Sequence, residues 1–135
     1  MIVRNYAGGV VFSGDKVLLE KNEKDKWMLP RGKISDGELS NEVVKKKVEE
    51  ESGVSAEFVS TAGHTNYEYC PDSRQNPFCN KTTWYIMKSQ KENENFFKVD
   101  EAMKLIEENQ EKSLINLSFK KYTGKDSMFN SLYGE

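Results

Sequence analysis

The 135-residue chain has two cysteines and one histidine, and it lacks both a long apolar run and an excess of either charge. Cys70 and Cys79 are too few for a disulfide framework. They flank a loop and could meet across a hairpin, but free thiols are the default inside a cell. A single histidine, His64, excludes a zinc site of paired histidines and leaves a histidine-dependent triad without supporting motif, so it reads as a strand-end residue. No apolar stretch is long enough to span a bilayer and no signal peptide is evident, so the expectation is a soluble cytoplasmic protein without a membrane partner. The 20 Lys and Arg residues against 22 Asp and Glu give a formal net charge of -2. A nucleic-acid polymer as partner would call for a basic excess. Without internal repeat, low-complexity tract or linker, residues 1–135 are expected to form one domain with a real core.

What is present alternates strand and turn signals. Val3 to Phe12 reads as a strand with a glycine pair, Gly8-Gly9, where something must come close. Ser13-Gly14-Asp15 is a turn, and Lys16 to Glu20 a second strand. Glu57 to Thr65 alternates like a strand that Tyr67-Glu68-Tyr69 continues. Cys70 to Lys81, with Pro71, Asp72, Ser73, Asn76, Pro77 and Asn80, is a loop by composition. In the next strand, Thr82 to Lys88, Trp84 and Tyr85 face opposite sides, one toward the core and the other toward a cleft. Aromatic residues at period two usually pack a sheet; base stacking by Tyr67 or Tyr85 is the alternative. Phe96 to Val99 is a short strand, and Asp100-Glu101-Ala102 opens a helix carrying Met103, Leu105 and Ile106. Leu114 to Tyr122 forms a further helix with Leu114, Leu117 and Tyr122 inward, and the tail 123–135 is polar apart from Met128, Phe129, Leu132 and Tyr133. This order predicts an α+β fold, a mixed sheet between helices.

The densest chemistry lies between Gly32 and Val54. Ser40 or Asn41 can cap a helix whose apolar positions are Val43, Val44 and Val48, and Ser52-Gly53 supplies a left-handed stop. Residues three and four apart are helix neighbours, so Lys47, Glu50 and Glu51 share a face. Two adjacent carboxylates suit a hard divalent cation such as Mg²⁺. Gly32 and Gly37 bracket the preceding turn, where glycine would let a phosphate approach. A plainer alternative is a ladder of surface ion pairs, Lys45–Glu49, Lys46–Glu50 and Lys47–Glu51, each worth ~0.2–0.5 kcal/mol. A ladder does not account for the spacing of Gly32, Glu38, Gly53 and Val54.

That spacing resembles the Nudix box, G-x5-E-x7-R-E-U-x-E-E-x-G-U with U aliphatic, on Gly32, Glu38, Lys46, Lys47, Val48, Glu50, Glu51, Gly53 and Val54. Lys46 replaces an arginine, and Lys47 puts a cation where the family has a catalytic glutamate. The resemblance extends over about residues 1 to 110 and implies the Nudix fold, a mixed sheet between helices. It implies Mg²⁺-dependent (or Mn²⁺-dependent) hydrolysis of a nucleoside diphosphate linked to another moiety. Glu50 and Glu51 would hold the metal, Glu38 would be a further ligand or support, and Glu92 or Glu94 in the acidic loop a third ligand or the general base. Trp27 to Lys33 resembles the segment of enzymes acting on dinucleoside and diphosphoinositol polyphosphates, and the strand Lys81 to Met87 that of the dinucleoside polyphosphate branch, with Arg31, Gly32, Lys33, Tyr67 and Tyr85 toward the substrate. The implied partner is a nucleotide or another pyrophosphate-containing small molecule, and since many relatives are dimers, a homodimer is an option. Lys47 sustains a rival reading, a catalytically impaired nucleotide-binding or regulatory module on the same fold.

Overall fold

The computed structural model describes residues 2–70 and 76–133, with side chains as far as residue 124. Its centre is strand β1 (Ile2–Ser13), whose apolar residues alternate between two faces. β1 pairs in parallel with β7 (Phe78–Lys88) from Ile2 opposite Phe78 to Phe12 opposite Lys88. On its other side it pairs antiparallel with β2 (Lys16–Leu18) and β5 (Arg31–Lys33). The long strand β6 (Glu57–Tyr69) lies antiparallel to β7, and β8 (Phe96–Lys98) closes the far edge against β2. A two-stranded ribbon, β3 (Glu20–Lys21) with β4 (Trp27–Met28), stands beside this sheet.

Alternation along β1 and β7 produces two apolar layers. Val10, Phe12, Trp84 and Ile86 face α2 (Val99–Leu105) and α3 (Asn109–Tyr133), joining Ala102, Ile106, Ile115 and Tyr122. Ala7, Val11 and Met87 face α1 (Ser40–Ser52), joining Val44 and Val48. The mixed sheet between helices is therefore as expected. No helix among the described residues is long and apolar enough to cross a membrane.

Several local expectations change. Neither Ser40 nor Asn41 caps α1. Leu39 is the N-cap residue and its apolar side chain supplies no bond, while the Ser40 hydroxyl is engaged by the Tyr85 hydroxyl and the Asn41 side chain accepts from the Glu42 N–H. The helix does end as read, with Gly53 left-handed at φ 71° and its N–H donating to the Glu49 carbonyl. Strand β7 begins at Phe78, not Thr82, since the first half of β1 needs a partner and Phe78 packs on Tyr69 and under Arg4. The part of the loop reading on residues 71–75 lies outside the described residues. Leu117 is 65% exposed, not inward. Leu114, Ile115, Ser118 and Tyr122 form the buried stripe, and Leu117 falls roughly 120° around the helix from its centre. The backbone of α3 continues through most of the tail, while the side chains of Met128, Phe129, Leu132 and Tyr133 lie outside the described part. His64 sits within β6, beside Thr83, rather than at a strand end.

The glycine pair explains the tightness of the sheet's centre. A methyl group on Gly8 would overlap the six-membered ring of Trp84. Overpacking a close-fitted core costs about 1–3 kcal/mol, so Gly8→Ala should lower the thermal midpoint by several degrees. An unchanged midpoint would show that Trp84 can retreat without loss.

Candidate active site

The box helix presents its charged face beside the β3–β4 ribbon. The Lys47 ammonium lies 2.9 Å from Glu51 Oε1, to which it donates a hydrogen bond, and 3.9 Å from Glu20 Oε1. Glu20 is absent from the sequence reading of the site. Its signal was available: period two puts it on the face of Leu18, which packs in the α1 layer. The Glu20 side chain is only 13% exposed, and its Oε1 has no hydrogen-bond partner among the described residues. Burial pushes the Glu20 carboxyl up to about 7, the Glu51 carboxylate adding to the rise while Lys47 and Arg31 oppose it. Burial works against the Lys47 charge too, but the hydrogen bond to Glu51 and the carboxylates of Glu20, Glu51 and Glu50 outweigh it and hold the ammonium above the ordinary lysine value.

Glu50 and Glu51 are adjacent but face different partners, Glu50 toward Lys46 at 3.9 Å and Glu51 toward Lys47. The three carboxylates Glu20, Glu50 and Glu51 thus surround or flank lysines. Among the described residues no group of three or more His, Cys, Asp or Glu side chains is disposed to hold a metal ion. A divalent cation needs oxygen ligands at ~2.0–2.6 Å, and the space between Glu20 and Glu51 already holds an ammonium. As arranged, these residues do not fit the divalent ion that the box implies.

The remaining expected residues divide. Arg31 is half-buried, its Nη2 2.9 Å from Glu111 Oε1 and its guanidinium 5.1 Å over the Trp84 ring. The Glu111 contact is an ion pair without hydrogen-bond geometry, for Arg31 Nη2 and Nε lack hydrogen-bond partners among the described residues. Glu111 is held by the Leu29 N–H at 2.8 Å. With Tyr67, Trp84, Asn80, Trp27 and the 107–111 segment, Arg31 and Glu111 line a cavity of about 640 Å³. Gly32 lies against α1, where a Cβ would come within 3.2 Å of Val43 and 3.5 Å of Lys47, so what approaches this glycine is the helix. Lys33 is exposed and lines neither this cavity nor the smaller one. Tyr85 is on the opposite face of the sheet, edge-on to Phe58 and bonded to Ser40. Glu38 is exposed, and its carboxylate accepts from the Ser35 N–H at 2.7 Å, closing the turn that enters α1.

The acidic loop is pinned to the site without bringing its glutamates into it. Asn93 donates to the Ser52 carbonyl at the end of α1, and the Asn95 carbonyl accepts from Leu19. Glu92 pairs with Lys16 at 2.9 Å, and that hydrogen bond lowers its carboxyl further. Glu94 is exposed; its neighbour Asn95 joins Glu20, Glu51, Leu19 and Trp27 in lining a second cleft of about 180 Å³. Trp27 is common to both spaces. Cys70 is exposed and Cys79 buried, and both are free thiols.

The profile of the NUDIX domain matches residues 3–117. An RNA pyrophosphohydrolase of Ruthia magnifica subsp. Calyptogena magnifica is 34% identical over 93 residues, 59% of this chain and 51% of that protein, so the chain spans about half the length of the curated relative it matches. The Ap4A hydrolase of C. elegans superposes with a TM-score of 0.63 at 18% identity, covering 90% of this chain and 99% of that one. The E. coli dihydroneopterin triphosphate pyrophosphohydrolase superposes with a TM-score of 0.61 at 13% identity, covering 85% and 95%. At these identities the structural likeness shows the fold.

The Glu20 geometry carries a pH prediction. A carboxyl raised on folding contributes stability that is fully present below its unfolded value and is lost as pH rises through about 7. Glu20→Gln should therefore gain on the wild type by on the order of 1–3 kcal/mol between pH 4.5 and pH 8. Thermal unfolding of both proteins in chelator across that range reads it directly, and a difference independent of pH would refute it.

Proposed function

Because the chain belongs to the NUDIX domain family, we propose that it is a pyrophosphohydrolase that cleaves a phosphoanhydride in a nucleoside diphosphate linked to another moiety. The observation that carries this reading is the shared wall at Trp27. The indole borders both the larger cavity and the cleft lined by Glu20 and Glu51, so a ligand in the larger cavity would lie against the same side chain that borders the carboxylates. The larger volume lies within the ~300–1,000 Å³ typical of small-molecule sites. Arg31 Nε and Asn80 Oδ1, buried without hydrogen-bond partners among the described residues, offer that ligand a donor and an acceptor. Tyr67, 51% exposed on the rim, supplies an aromatic face.

A dinucleoside polyphosphate is the substrate we favour, on the sequence likeness of residues 27–33 and 81–87 to that branch. An RNA pyrophosphohydrolase and an Ap4A hydrolase among the similar proteins are consistent with the class. The metal requirement, Mg²⁺ with Mn²⁺ as substitute, belongs to this proposal through the family and the adjacent Glu50 and Glu51; Lys47 is the residue that does not fit it. Glu94 lines neither space and would have to move to act as the base this proposal assigns it, with Glu38 a supporting carboxylate. The nucleotide-binding module is the second reading, favoured by one observation: the Lys47 ammonium lies between Glu20 and Glu51.

Phosphate release from dinucleoside polyphosphates, nucleoside triphosphates, ADP-ribose and nucleotide sugars, with and without Mg²⁺ or Mn²⁺, separates the two. Hydrolysis of one class is expected, reduced at least about tenfold in Glu51→Gln. Arg31→Ala should weaken substrate by about tenfold in KM, ~1.4 kcal/mol. Lys47→Glu, which restores the family's carboxylate, should raise metal-dependent turnover. Nucleotide binding without turnover on any substrate would establish the module instead.

A further inference from the structure

The mismatch between the box and a metal ion has a structural form. The stem of Lys47 runs past Gly32, where a side chain would come within 3.5 Å of its Cβ, and its ammonium ends between carboxylates from two different elements, Glu51 on α1 and Glu20 on β3. Only 29% of the lysine side chain is exposed. A surface lysine would swing freely, whereas this one is confined by the strand on one side and by a hydrogen bond on the other. Of the other nearby cations, Lys46 faces Glu50, and Arg31 pairs with Glu111 while acting on Glu20 through its charge and its backbone N–H. Glu20 has Lys47 as its ion-pair partner, and its buried Oε1 receives no hydrogen bond among the described residues. An ammonium has no lone pair to ligate a divalent ion and repels one at short range, so the two compete for the same pair of carboxylates.

We propose that Lys47 is an internal counter-cation that fills the position between Glu20 and Glu51, so that a divalent ion enters this face only by displacing the ammonium. Glu20, outside the box, is the positioning residue that holds Lys47 there and the carboxylate that the displacing ion would meet. This arrangement makes divalent-ion binding weak in the native chain and assigns the weakness to one residue. It is independent of whether the protein hydrolyses anything.

The test counts Mn²⁺ bound to the full chain by electron paramagnetic resonance of the free ion, with no nucleotide present. Lys47→Met should bind Mn²⁺ at least about tenfold more tightly than the wild type, since a repelling charge is removed and two carboxylates are released. Lys47→Gln should do the same, and a thermal melt of each variant confirms folding. Adding Glu20→Gln to either variant should abolish the gain. Equal Mn²⁺ affinity in the wild type and both folded Lys47 variants would overturn the proposal. So would a gain that survives Glu20→Gln, because the ion would then be bound elsewhere on α1. Loss of hydrolysis in the substrate panel leaves these outcomes untouched.

Discussion

Everything that positions the site depends on how closely two layers approach β1. At Gly8 the indole of Trp84 presses against bare backbone, and at Gly9, on the opposite face, Val44 of α1 and Met87 come within about 3.3 Å of where a Cβ would stand. A side chain at Gly9 would press on α1, and one at Gly8 would displace the Trp84 indole that packs toward α2 and α3. Gly32 repeats the device one strand over, admitting Val43 and Lys47. Gly9 and Gly32 therefore set the distance from the box helix to the sheet, and so to the ribbon that carries Glu20. Gly8, on the other face, sets the height of Trp84, which donates to Thr65 and underlies the Arg31 guanidinium. The glycines act by what they allow to pack, not by open space left for a ligand.

On that scaffold two charge clusters mark the two spaces. Arg31 with Glu111 lies in the wall of the larger cavity, and Glu20 and Glu51, the carboxylates paired with Lys47, border the smaller. Buried ion pairs contribute little net stability, because desolvation of both partners offsets their attraction. Their effect here is geometric. Glu111 ties α3 to the Leu29 N–H and to Arg31, joining the C-terminal helix to the segment that enters the box. Lys47 ties α1 to the ribbon. Breaking either cluster by removing one partner leaves a charge in a poorly solvated place, which is the costly direction.

Much of this was legible in the sequence. The box helix with its glycine stop and the close approach at Gly8-Gly9 follow from periodicity and turn chemistry, because burial of an alternating strand is a local property, and the mixed sheet follows from the order of elements together with the family resemblance. The site was legible only in part. Arg31 and Tyr67 do line a cavity, but Tyr85 does not, since the sequence showed that it opposes Trp84 without showing which face carries the cavity. Glu111 was missed because the helix reading began at Leu114, although Glu111, Leu114, Ile115, Ser118 and Tyr122 lie along a single stripe of α3. Glu20 was missed because its meaning depends on a lysine 27 positions away, and the pairing appears only when β3 is set beside α1.

Glu20 and Lys47 together show why a box alone under-determines chemistry. Fold does not fix function, which resides in particular groups. In isolation, Lys47 reads as damage to a catalytic set, or as one rung of a surface ladder. Beside a half-buried carboxylate from another element it is a charge in a defined place. A ladder lysine would be exposed and exchangeable for any cation, and its loss would cost a few tenths of a kcal/mol. A lysine wedged between carboxylates of two elements balances a local excess of negative charge that would otherwise require an ion from solution. The substitution at position 47 and the carboxylate at position 20 are therefore best understood as one feature. Each is anomalous alone, and the distances of 2.9 and 3.9 Å from one ammonium to two carboxylates account for both.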